Sequence, residues 1–141
     1  KVPELIFLAD VELIRQPDGE NPAAGLPSLH CQGIFREARA QLYANLMGVF
    51  FDEALELEVL ALDYDGEGPT LYEFAPSLTD ALAALEEDDI EALLRPWQET
   101  AEIEELGTDD ADLAEFLFSL IHLCQISRNE DGLSVFVMSD G

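Results

Sequence analysis

Asn129–Gly141 reads NEDGLSVFVMSDG and Lys1–Ile14 reads KVPELIFLADVELI. The first is a β-strand running into the opening half of a tight turn, and the second is the strand that such a turn would lead to. Joined tail to head they form a hairpin signature, because Asp140 and Gly141 supply positive-φ turn residues between two runs of β-forming side chains. This reading predicts that the two ends of the chain lie side by side. Chain ends that meet at an exposed turn are compatible with circular permutation, so the segments are to be compared with known folds in rotated order.

The 141 residues are enough for a single domain with a real core, without metal or disulfide staples. Its 48% hydrophobic content separates it from a disordered acidic tail. Charge is the outlier: 31 Asp and Glu against 6 Lys and Arg leave a formal net charge of -25. Nucleic acid and anionic membrane are disfavoured as partners, since phosphate binding needs a basic patch that six scattered cations can hardly build. A basic partner is favoured, and plain solubility is the competing explanation of the same charge. Cys31 and Cys124, far apart in sequence, fit a reducing cytoplasm better than a disulfide framework. The most apolar stretch, Leu113 to Ile126, is interrupted by Glu115, Ser119, His122 and Gln125 and falls short of the ~20 residues a membrane span requires. No segment reads as a signal peptide.

Along the chain the hydrophobic period alternates between two and about 3.6 residues. In Leu5 to Leu13 every odd position is apolar while Asp10 and Glu12 are even, which predicts a strand with one buried face. The Pro- and Gly-rich Arg15 to Pro27 reads as a loop, and Leu29 to Cys31 as a short returning strand. Phe35, Ala38, Leu42, Leu46 and Val49 recur at helical spacing over Ile34 to Phe50, with Gly48 marking the end. Leu55 to Tyr64 is apolar on both faces beyond Leu60 and reads as a covered strand. Asp65 to Pro69 turns it into a second strand, Thr70 to Ala75. Ser77 to Asp80 opens a helical region that Pro96 should break or kink and Gly107 should end. A further helix then covers Leu113 to Ile126, capped by one of Asp109, Asp110 or Asp112.

With so many carboxylates, chance constellations are expected, and none carries chemistry. Asp63 to Gly68 resembles the start of a calcium loop, but Phe74 stands where a bidentate Glu is needed and the flanks are strands. His30, Cys31, His122 and Cys124 do not have zinc spacing: adjacent residues of an extended segment face opposite ways, and residues two apart on a helix diverge by roughly 200°. No serine sits in a nucleophile elbow, no Gly-rich run cradles a phosphate, and the paired acids lie in polar helix starts where nothing would raise a carboxyl pKa. An enzyme is not expected, nor a metal or cofactor.

Read from Thr108 in rotated order, the elements are helix, strand, strand, short strand, helix, strand, strand and a long acidic helical region. The particular sequence features are Leu113, Ala114, Glu115 and Phe116 in the first helix; Glu130 to Leu133 leading into its strand; Leu42 to Gly48 closing the middle helix; and the late hairpin followed by acidic helix with Trp97. In this order and acidity the chain resembles the class I type III secretion chaperones, the Tir chaperone family. The resemblance leaves out only Arg15 to Pro27. The family's first helix and strand stand here at the C-terminal end, and Phe50 to Leu55 lacks the Gly-rich passage that often follows the middle helix.

The resemblance implies an α+β fold: an antiparallel, twisted sheet of about five strands packed by three helices. It further implies a cytoplasmic homodimer without catalytic activity that binds the N-terminal segment of a secreted effector in extended form, keeping it soluble and export-competent. That is strand addition combined with pocket filling. From the family pattern the dimer contact comes from the middle helix and the strand after it, here Leu42, Leu46, Val49, Leu60 and Leu62. For the client groove, the helix Leu113 to Ile126 has more large apolar residues than one stripe can bury. Phe118 and Ile121 on it are candidates, with Phe136 and Met138 on the strand face opposite Leu133, Val135 and Val137. The alternative is an acidic inhibitor, an immunity protein or nucleic-acid mimic, that caps a basic partner with its carboxylates. A carboxylate-based hydrolase would need facing acids in a concave site, and the sequence shows none.

Overall fold

A computed structural model describes residues 4–10, 28–30, 34, 36–63, 70–107, 109–130 and 132–139, the side chains of Leu62, Asp63 and Ser139 excepted. Five strands form one antiparallel sheet: β1 (Glu4–Asp10), β2 (Ser28–His30), β3 (Glu58–Asp63), β4 (Thr70–Phe74) and β5 (Leu133–Ser139), in the spatial order β2-β1-β5-β4-β3. The end-to-end reading of the sequence is met directly, because β1 pairs with β5 from Glu4 opposite Ser139 to Asp10 opposite Leu133. The α+β class, with a five-stranded antiparallel sheet, is as expected.

The helices are α1 (Arg36–Met47), α2 (Phe51–Leu55), α3 (Pro76–Ala83), α4 (Glu87–Gln98), α5 (Ala101–Leu106) and α6 (Asp110–Asn129). The described helical layer thus has six pieces where three helices were expected. The acidic region is interrupted at Ala84 and again after Gln98, two residues beyond Pro96, which sits inside the last turn of α4. Pro96 cannot donate a backbone N–H, and its ring crowds the preceding turn, so a helix that contains it near its end stops there at little cost. Gly48 and Gly107 close their helices as read, with φ of 67° and 69° and amides donating to the carbonyls of Ala44 and Ile103. A residue with Cβ would be strained in that left-handed conformation.

One sheet face packs on the helices. Across the middle of the sheet the paired residues Leu29, Ile6, Val137, Tyr72 and Leu60 form a row, one from each strand. Ile6 and Val137 are fully buried with Leu8, Val135 and Phe74 against Leu117, Leu120 and Trp97. The indole N–H of Trp97 donates to the Ala38 carbonyl at 2.8 Å, satisfying its polar atom inside the core. The other face holds a smaller buried cluster of Phe7, Ala9, Leu71 and Phe136, in which Phe7 and Phe136 stack with centroids 5.9 Å apart. β1 is therefore buried on both faces. The alternation suggests only one, because Asp10 and Glu12 mask the apolar Ile6 and Leu8 on the even side.

The strand read as covered on both sides is the one that is not. β3 is an edge strand with Val59, Leu60 and Ala61 exposed, while Glu58, an acid in the supposedly polar phase, is buried. A register shift between Leu60 and Leu62 marks a bulge, while the exposure of Val59 and Leu60 ahead of it follows from the outermost place of β3 among the described strands. The calcium-like residues 64–68 and the loop 15–27 lie outside the described residues.

Candidate functional site

Two surfaces stand out, one at each edge of the sheet. At the β3 edge Val59 is 49% exposed and Leu60 55%, large apolar side chains left to solvent in a chain so acidic; Phe50, ahead of α2 in the chain, is 80% exposed. β3 is hydrogen-bonded to β4 on one side only among the described strands, so its other row of backbone groups is open for pairing.

A buried polar cluster holds this edge from behind. The Arg39 guanidinium, 1% exposed, donates from Nε and Nη2 to the two carboxylate oxygens of Glu58 at 2.7 and 2.8 Å. Its Nη1 donates to Glu4 at 2.6 Å and to the Ile34 carbonyl at 2.9 Å. The Tyr43 hydroxyl donates to Glu58 at 2.6 Å. Burial, and next the neighbouring Glu58 carboxylate, push the Tyr43 phenol well above its ordinary value near 10. Arg36 donates to the Leu55 carbonyl at 2.8 Å and stacks over the Tyr72 ring at 4.8 Å. A bidentate pair inside a low-dielectric core is strong only because every group in it is partnered. The cluster ties α1 to β1 and β3, strands that are not neighbours in the sheet. Reading helix faces by hydropathy puts Arg36 off the core face and makes nothing of Glu58. The usable signal is that two of only six cations fall one turn apart on this helix.

Of the residues expected at a dimer contact, Leu60 is exposed, while Leu46 and Val49 are half-buried and packed on the core. Leu42 is fully buried within the chain and is corrected to a core residue: at the centre of α1 it has no surface left to give a partner. Leu62 belongs to the same strand as Leu60, its side chain lying outside the described ones. Phe50 and Val59, which the family pattern does not single out, are exposed as well.

At the β2 edge a trough runs between β2 and α6. Its two lobes, about 470 and about 310 Å³, meet at Leu29 and Ser119. One lobe has Asp109, Asp112 and Glu115 on its wall, with Ile34 and Phe116; the other has Phe118, His122 and Leu123. Of the four client-groove candidates only Phe118, 51% exposed, lines this trough. Ile121 is 4% exposed in the main core and Phe136 1% in the opposite cluster, so both are corrected to interior positions. Met138 is half-buried beside Phe136 on the face away from the helices, as the strand alternation predicted. The apolar excess of α6 is thus almost wholly consumed by packing: Leu113, Phe116, Leu117, Leu120, Ile121, Leu123 and Cys124 are all buried.

The exposed His30 and His122 and the buried Cys124 do not form a ligand set, and among the described residues no three His, Cys, Asp or Glu side chains gather as a metal site. Burial alone raises the Cys124 thiol far above the usual thiol range, which keeps it protonated and inert. Among the described residues no helix is long and apolar enough to cross a membrane. No protein-family model, no curated protein and no solved structure matches this chain.

Proposed function

We propose that this chain is a homodimeric secretion chaperone of the class I type III kind, without catalytic activity, that works in the cytoplasm and holds the N-terminal segment of a secreted effector in extended form. The observation that carries the reading is the adjacency of β5 and β1, with Glu4 opposite Ser139. It allows α6, β5, β1, β2, α1, β3, β4 and the acidic helices to be read in the rotated order that resembles that family. The exposed apolar Val59 and Leu60 of the β3 edge support a protein partner there, and a second copy is the occupant proposed. Nucleic acid and membrane remain disfavoured by the charge, and more so because Arg36 and Arg39, two of the six cations, are turned to internal bonds.

Light scattering on the purified protein should give twice the chain mass, and mass spectrometry of the material co-purified from its native cytoplasm should identify one secreted protein held through its N-terminal segment. Recovery of a nuclease or toxin held through its catalytic domain would overturn the reading in favour of an acidic inhibitor. The net charge of -25 is the observation on that side. Salt separates the two, since binding by surface carboxylates collapses as ionic strength rises whereas binding by apolar anchors persists.

A further inference from the structure

We draw no further inference here: the strongest candidate, the buried side-chain cluster of Arg39, Glu58, Glu4 and Tyr43 that links α1 to β1 and β3, belongs to the β3 edge already described, whose strand it holds from behind.

Discussion

The two edges of the sheet are built on opposite plans. β3 offers six residues of strand in which the uncharged Val59, Leu60 and Ala61 are exposed, and Arg39, Glu58 and Tyr43 bond to one another behind it. β2 offers three residues flanked by exposed acids and a trough. Short edges guarded by charge resist pairing with like molecules, and long uncharged ones invite it. In a chain of net charge -25 self-association is opposed by long-range repulsion, so a surface meant for a second copy has to be locally neutral and rigid. β3 meets both conditions.

Removing the support of the β3 edge is the severest way to break this contrast. Arg39→Met leaves Glu58 buried without its partner and should cost about 3–5 kcal/mol in urea unfolding. Amide exchange should rise first in β3 and at the Glu4 end of β1, the two strands Arg39 holds, and least in β5. Glu58→Gln on its own should be similarly harmful, and Arg39→Met combined with Glu58→Gln should cost less than the sum of the two, as expected of groups that touch. Additive costs would mean that the pair contributes nothing as a unit.

Changing the exposed side chains of the same edge should leave folding alone. Val59→Glu with Leu60→Glu places like charges on exposed positions, so the stability of the monomer should move by no more than about 0.5 kcal/mol. A dimer closed through these residues should nevertheless lose about 2 kcal/mol or more of association energy. Light scattering across a dilution series would read this directly, and a dimer of unchanged affinity would place the interface elsewhere.

Tyr43 offers a smaller effect with a distinct pH signature. Its phenol is held protonated in the folded state above its ordinary value near 10. A raised folded-state value for an acid means that the stability this implies is complete below pH 10 and is lost above it, because the unfolded chain gives up the proton while the folded one retains it. Tyr43→Phe should remove about 1 kcal/mol at neutral pH, the worth of the hydrogen bond to Glu58, and should flatten the alkaline decline. A decline of the same slope in the variant would assign it to other groups, among them the similarly buried Cys124 thiol.

How much of this is legible in the sequence differs by edge. The five strands, the glycine helix ends and the meeting of β1 with β5 follow from local patterns, since turn residues and hydrophobic periods act over a few positions. The identity of the edges does not, because which strand ends up outermost is decided by long-range pairing. Leu60 looks like part of a doubly covered strand, since apolar residues on both faces do not reveal that the strand is outermost in the sheet. Phe136 looks available because the small cluster that buries it draws Phe7, Ala9 and Leu71 from distant segments. Glu58 is invisible for a related reason: a buried acid in a chain of 31 acids is marked only by the guanidinium that reaches it. Phe118 is legible only together with Ile121 and Leu123, which the sequence also sets outside the main stripe of α6 and which packing buries.

The smallest expected change is at the β2 edge. Phe118 lies on the open side of α6, so Phe118→Ser removes little from the core, and the global stability should stay within about 0.5 kcal/mol of the parent. Dimer affinity should stay as well, since Phe118 lines the β2 trough at the far end of the strand order from β3. Only binding of an apolar guest should fall, by about 1–2 kcal/mol for an aromatic ring removed from a partly open site. Differential scanning calorimetry, light scattering and peptide anisotropy on this one variant therefore separate the roles of the two edges. A fall in dimer affinity would mean that the copies meet through β2 and the guest binds at β3, inverting the assignment of both surfaces.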